Sequence, residues 1–311
     1  MEVITLPGRD IWDSIVRNTR HATFFHSPAW ITILEKTYPG YRNNTRAFIF
    51  ENGSRAILPL MVERGRGVIF KKAKHKSMPL GVYGGIISAA QLSADERQAI
   101  FRHLTASDIH DLKLVAAPLD NQEYPAHFKR TPLLTHLLSL EGGFERIRGG
   151  FSRGQKSNIN QARKKGVTVR VGGTEEDYRR YFHIYQDTLK RWGAQAGARY
   201  PWGLFRNLCE ARSPDIKLWL AEKEGKAIAG VIALYCNATA LYWHGCSLQG
   251  YFDHYPNNLL HAEIIRDACE RGYARYDLSP SGGYEGVIRF KDSFSAQRVG
   301  FNAYHWKKKA L

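Results

Sequence analysis

The sequence predicts an α/β protein of two tandem lobes, each built on a mixed sheet. Three observations carry this. A chain of 311 residues has room for two domains of roughly 100–200 residues each. Its halves repeat one order of elements. Its composition, 43% hydrophobic and 24% charged, supplies two cores without disulfide or metal staples.

The repeat rests on two hairpin patterns. One runs Ala47 to Met61 and the other Leu218 to about residue 235. Each is an apolar strand, a tight polar turn and a second apolar strand. Glu51-Asn52-Gly53 and Glu224-Gly225-Lys226 supply the turns, where glycine tolerates positive φ. A helix precedes each hairpin. The first opens at Ser27-Pro28, a cap followed by proline at the first helical position. The second opens at Thr174, with Asp177 completing a capping box. It carries Tyr178, Phe182, Tyr185, Leu189 and Trp192 at 3–4-residue spacing and stops at Gly193. Strand, helix and strand then follow in both halves. In the first they are Gly81 to Ser88, Ser93 to Thr105 (boxed to Glu96) and Leu112 to Ala116. In the second they are Thr239 to Ser247, Asn257 to Arg271 and Tyr273 to Leu278. The doubled glycines between Glu141 and Gly150 mark the boundary. The lobes are therefore expected at 1–145 and 146–311, the second opened by a basic helix.

Several classes are excluded. No run of about 18 apolar residues is present, so no transmembrane segment is expected. Residues 1–10 lack the apolar stretch of a secretion signal, and the expected location is the cytoplasm. Cys209, Cys236, Cys246 and Cys269 form no C-x-x-C pair and read as reduced packing residues. The twelve histidines have no zinc-site spacing, so no metal is expected. Neither a G-x-S-x-G elbow nor a Walker A loop occurs.

Charge points to an anionic partner. The net charge is +16. Residues 1–145 hold 18 Lys/Arg against 14 Asp/Glu, and residues 146–311 hold 27 against 15. Seven basic residues and no acid lie between Arg146 and Lys165, and a smaller cluster is Lys71, Lys72, Lys74 and Lys76. Such patches attract nucleic acid, phosphorylated small molecules or anionic surfaces.

Three segments are candidates for chemistry. Gly81-Val82-Tyr83-Gly84-Gly85 is either a close-packed strand end or a place where backbone approaches a ligand. The Arg153–Gly166 segment reads as a polar helix whose long cations could grip phosphates. The third, Tyr276 to Lys291, places a glycine-rich loop after a strand end and then Arg289, Phe290 and Lys291, where α/β folds commonly hold ligands. Asp277 either caps the following turn or takes part in the reaction. Glu285 reads as exposed. Lys291 could stabilise a developing oxyanion or a phosphate.

These segments resemble the FemABX group of aminoacyl-tRNA:peptidoglycan transferases. Arg153…Asn158…Ala162…Gly166 is similar to the group's R-x-x-x-x-N…A…G segment. Tyr255-Pro256-Asn257-Asn258-Leu259-Leu260 is similar to its y-x-p-n-x-l-l turn, and Tyr276-Asp277-Leu278…Gly286…Phe290-Lys291 to its y-D-l…G…F-K ending. Leu58-Pro59-Leu60 and Gly84-Gly85 fit the same group. The resemblance implies two lobes of the GNAT (acyl-CoA N-acyltransferase) fold with a groove between them, and transfer of an acyl or aminoacyl group to an amine. It implies catalytic roles for Lys291 and Asp277. Arg153, Asn158, Arg163, Lys164, Arg289 and Phe290 would hold the donor, and Tyr83, Gly84, Gly85, Trp192 and Tyr242 the acceptor. The chain departs from the group's cell-wall members in having no long charged heptad arm. It also lacks the Q-x-x-G-x-G/A loop of acetyl-CoA users, with Leu248 to His254 standing in that place.

The leading expectation is transfer from aminoacyl-tRNA to an amine of a cell-wall precursor. The donor is then a co-substrate and no cofactor is needed. The alternatives are an acyl-CoA-dependent N-acyltransferase acting on a sugar or small amine, and a degenerate GNAT pair that only binds nucleic acid or a partner protein.

Overall fold

The computed structural model describes residues 1–63, 73–120, 122–195 and 197–308; Lys71 and Lys72 of the smaller basic cluster lie outside them. The chain divides into two compact units, Met1–Leu133 with Gly300–Leu311, and Leu134–Val299.

The first unit runs β1 (Glu2–Thr5), α1 (Arg9–Asn18), α2 (Pro28–Thr37), β2 (Tyr41–Asn43), β3 (Arg46–Ile49), β4 (Arg55–Leu58), β5 (Met61–Glu63), β6 (Lys74–Ser77), β7 (Ile87–Ser88), α3 (Ala94–Ala106) and β8 (Asp111–Val115). Strand β9 (Lys129–Ser139) then leads into the second unit. The predicted caps are present: Ser27 Oγ accepts from Trp30 N, and Ser93 and Glu96 form the reciprocal box. β1, β3, β4 and β7 pair antiparallel in that order. β2, β5 and β6 also pair antiparallel, and β6 runs parallel to β8. Pro59, with no N–H to give a ladder, falls between β4 and β5 and separates the two sets. Phe48, Leu58, Ile100, Leu104 and Leu112 are among the core residues between the ladders and α3.

The expected strand over 81–88 is reduced to Ile87–Ser88. Leu80, Gly81 and Gly85 take positive φ, of 69°, 72° and 94°, which no strand accommodates.

The second unit continues with α4 (Gly143–Gly150), α5 (Arg153–Lys164), β10 (Thr168–Gly172), α6 (Glu175–Trp192), α7 (Trp202–Glu210), β11 (Ile216–Lys223), β12 (Lys226–Cys236), β13 (Thr239–Ser247), α8 (Pro256–Glu270), β14 (Arg275–Asp277) and α9 (Glu285–Asp292). The last strand, β15 (Gln297–Lys307), ends in the first unit, where residues 303–307 pair with β8. β10 to β13 are antiparallel neighbours, β14 runs parallel to β13, and residues 137–139 of β9 pair antiparallel with β14.

Both units share the order strand, two helices, hairpin, strand, helix, strand; the first adds β2, β5 and β6, and its last strand runs parallel to β6, as β14 runs parallel to β13 in the second. The repeat extends further than the hairpins alone suggested, because β1, α1, β10 and α7 belong to it. The boundary differs from the expected 145/146. The doubled glycines do not loosen the chain there. Gly142 and Gly143, with φ of 87° and 79°, turn it into α4, whose Phe144 and Ile147 are buried in the second core beside Leu260 and Ile264. Residues 300–308 fall in the first unit, where residues 303–307 pair with β8.

Helix α6 has its capping box and ends at Gly193 as the spacing predicts, but its buried face includes Tyr181 and Ile184 while Phe182 and Leu189 are only half-buried. Asp177 joins the box to the sheet, accepting from Arg170 Nη2 at 2.6 Å and Gly173 N at 3.0 Å. All four cysteines are free thiols. No helix among the described residues is long and apolar enough to cross a membrane.

Candidate active site

Parallel strands β13 and β14 pair only over Thr239–Leu241 and Arg275–Asp277. Beyond that, β13 continues to Ser247 while the chain after Asp277 turns away. Ligands in α/β sheets collect where the carboxyl ends of strands diverge in this way. Here the divergence opens a cleft of about 500 Å³, lined by β13, the first turns of α8, and α9.

The turn that parts the strands is built by side chains. Ser279 has φ +60°, in the left-handed region that costs a residue with a Cβ some stability. Its backbone N–H donates to Asp277 Oδ1 at 2.8 Å and its hydroxyl to the Tyr242 carbonyl at 2.5 Å. Asp277 is 1% exposed and also accepts from the Thr135 hydroxyl at 2.8 Å. The structure has Asp277 capping the turn, and it is not among the residues that line the cleft.

α9 was not read from the sequence, and it carries the main group. Lys291 is 1% exposed; its ammonium donates to the Ser279 carbonyl at 2.6 Å and lies 5.9 Å from the Tyr242 ring centroid. Burial pushes its pKa down from 10.5 to about 8, against the opposing pull of the Asp277 carboxylate. Near neutral pH it is therefore mostly a cation.

A bulge shapes the floor. In the β12–β13 ladder His244 faces Ile232 and Tyr242 faces Ala233, so Trp243 is an extra residue. Simple alternation would put Tyr242 and His244 on one face. The bulge sends them apart: Tyr242 lies against His261 of α8 (centroids 4.8 Å), and His244 against Tyr185 of α6 (4.7 Å). Gly245 follows because a Cβ there would meet the Tyr242 ring at 2.8 Å.

Lys291, Phe290, Trp192 and Tyr242 thus come together on one cleft. His261, which the sequence reading passed over, lines it too. Its only signal was a polar residue within the apolar stripe of α8. A second unread group is a buried amide cluster: Gln155 of α5 accepts from Asn258 Nδ2 at 2.7 Å and from the Ser293 hydroxyl at 3.0 Å. It ties α5 to α8 and to the end of α9.

The remaining candidates lie elsewhere. Arg289 is exposed on α9, outside the lining. Arg153, Asn158, Arg163 and Lys164 form part of α5, and none lines the cleft. Arg153 and Lys164 are exposed, whereas Arg163 pairs with Glu263 at 2.7 Å. Tyr83, Gly84 and Gly85 belong to the first unit and are taken up by packing. Tyr83 is buried against Phe25 and Phe301. A Cβ at Gly84 would stand 2.4 Å from the Ser77 carbonyl carbon, so the backbone that approaches closely there is the chain's own.

Residues 152–292 match the family described as acetyltransferase (GNAT) domain. No curated protein matches the sequence. Among solved structures, the chain is similar to FemX, with 12% identity, a TM-score of 0.75 and 97% of each chain covered. It is also similar to a tandem GNAT protein from the clavulanic acid biosynthesis pathway, solved without acetyl-CoA, with 10% identity, a TM-score of 0.57 and full coverage of both chains. A third neighbour is L-PGS from Bacillus licheniformis, with 11% identity, a TM-score of 0.54, and 97% of this chain and 91% of that one covered. Residues 152–292 thus match a GNAT acetyltransferase domain, and along its whole length the chain shares the fold of FemX.

Proposed function

We propose that the chain moves an aminoacyl group from aminoacyl-tRNA to an amine of a peptidoglycan precursor, in the cleft at Lys291. The observation that carries this reading is the buried Lys291 ammonium beside Phe290 at the diverging ends of β13 and β14. It is the F-K ending of the FemABX pattern set in a cleft. The neutral amine would attack the ester carbonyl carbon, and negative charge would gather on the carbonyl oxygen. Lys291 supplies the opposite charge there. Collapse breaks the bond to the ribose oxygen, which leaves with the proton the amine gives up, and an amide remains. Because the ester is already activated, holding the two reactants together is a large part of the catalysis.

Two features favour a tRNA ester over a CoA thioester. The basic excess lies in residues 146–311, where exposed Arg153 and Lys164 of α5 can meet phosphates. Between β13 and α8, where acetyl-CoA users carry a glycine cradle, this chain has a short helical stretch, Gln249–His254, then Tyr255 with φ +54° and Pro256. Pro256 removes one of the backbone donors that a pyrophosphate would use. A cytoplasmic setting, where charged tRNA is available, belongs to this proposal.

The family's description as an acetyltransferase favours a second reading: an acyl-CoA-dependent transfer to a sugar or small amine. One experiment separates the two. Purified protein is given aminoacyl-tRNA or acyl-CoA with a peptidoglycan stem-peptide precursor or an amino sugar, and amide formation is followed by mass spectrometry. Amide from the tRNA ester supports the proposal. Amide from acyl-CoA alone replaces it with the second reading.

A further inference from the structure

We propose that His261 is a catalytic hydrogen-bond donor, presenting a neutral Nε2–H to the carbonyl oxygen of the transferring acyl group, and that Tyr276 is the positioning residue that fixes this tautomer. The proposal rests on acyl transfer in the Lys291 cleft, but not on which donor supplies the acyl group.

The argument starts from Tyr276. It lies on β14 with 0% exposure, and the partner of its hydroxyl among the described residues is His261 Nδ1, at 2.8 Å. Were Nδ1 to carry the proton and donate to the phenol oxygen, the phenol proton would be buried with no acceptor, a costly arrangement. With the phenol donating, both groups are satisfied. Nδ1 then accepts, and the imidazole proton sits on Nε2.

The ring is also kept uncharged. His261 packs edge-on against Tyr242 at 4.8 Å and Phe290 at 5.3 Å, with Phe294 at 5.7 Å. Burial and the nearby Lys291 cation lower its pKa from 6.5 to about 3. A neutral ring with this tautomer is a donor and cannot serve as a base, so it takes no proton from the attacking amine. His261 lines the cleft, and its Nε2 has no hydrogen-bond partner among the described residues. Lys291 and His261 thus supply a charged and a neutral donor to one cavity, a suitable pair for an oxygen that gains negative charge.

The test has two readouts. The first is nitrogen NMR of protein labelled with ¹⁵N-histidine, without any substrate. The expected parent signal for His261 is the neutral Nε2–H tautomer throughout pH 5–9. Tyr276→Phe is expected to lose that single tautomer. A parent ring with the proton on Nδ1, or one that titrates near pH 6, overturns the proposal. The second is transfer with aminoacyl-tRNA and with acyl-CoA, whichever the parent uses. His261→Met is expected to lower kcat on the order of 100- to 1,000-fold with little change in KM, and His261→Gln, which keeps an N–H donor, to recover part of the loss. A folded His261→Met protein with parental kcat overturns the proposal. Transfer from acyl-CoA alone overturns the donor reading and leaves the His261 result to stand by itself. If no donor is turned over, the catalytic role of His261 falls with acyl transfer, and the tautomer measurement decides only whether Tyr276 fixes a neutral Nε2–H.

Discussion

Burial makes Lys291 unusual. Between pH 8 and 10.5 the unfolded chain binds a proton at this lysine that the folded chain does not, so stability rises with pH across that window. Lys291→Met should remove this dependence and melt within a few degrees of the parent at neutral pH, in a thermal scan repeated at several pH values. Transfer should fall on the order of 100- to 1,000-fold, or about 3–4 kcal/mol. If the cation is the working form, kcat declines as pH rises through about 8. Lys291→Arg keeps its charge at every accessible pH. It should lose that declining limb in a pH–rate profile and restore donor binding better than turnover. The Phe290-Lys291 pair was legible as a motif. That the lysine is buried was not, because nothing in the local pattern announced that α9 would fold its last turn onto Ser279.

At the level of elements, Gly230 of β12 leaves room for Tyr181 of α6 to pack onto the sheet. A Cβ at Gly230 would meet the Tyr181 ring at 2.6 Å and the Trp219 carbonyl at 3.0 Å. Gly230→Ala is therefore expected to destabilise by about 1–3 kcal/mol, read from the urea midpoint. Gly245→Ala instead presses on Tyr242 in the cleft wall. It should shift the melting temperature little while lowering kcat/KM about tenfold or more, since small misplacements at a reacting centre are costly. Helix α5 makes a different prediction. Arg163 is paired with Glu263, Lys165 lies 3.6 Å from Asp253 and Lys156 donates to the Gly149 carbonyl at 3.1 Å, so the α5 cations with no partner among the described residues are Arg153 and Lys164. Replacing both with Gln should weaken tRNA binding and reduce the salt slope by about 1.4–1.8, at roughly 0.7–0.9 per lost contact. Stability should hardly change. An unchanged slope in filter-binding titrations would make α5 a solvated helix that serves only to brace α8 through Gln155.

Across the whole chain, the sequence revealed what is local. Capping boxes at Ser93 and Thr174, the cap at Ser27 and the glycine stop at Gly193 are decided by neighbours within four residues, and the structure has all of them. The two hairpins and the repeat were legible because strand periodicity and turn chemistry lie side by side. Three features were not. The ends of β9 and β15 pair with β14 and β8, strands far away in sequence, and no local pattern encodes such partners. The glycines at 84–85 showed that backbone comes close to something, but not that Ser77 is what it meets. The role of His261 depends on Tyr276, a pairing across two elements. The same limit applies to the donor, which the fold shared with FemX leaves to experiment. The most direct measurement is single-turnover transfer from purified aminoacyl-tRNA to a peptidoglycan stem-peptide precursor, by parent and Lys291→Met proteins side by side. The account predicts that ester loss by the parent is matched by new amide, and that Lys291→Met binds the same tRNA yet transfers on the order of 100- to 1,000-fold more slowly. Equal rates for the two proteins, or thiol release from acyl-CoA by a parent that leaves the tRNA ester intact, would contradict it.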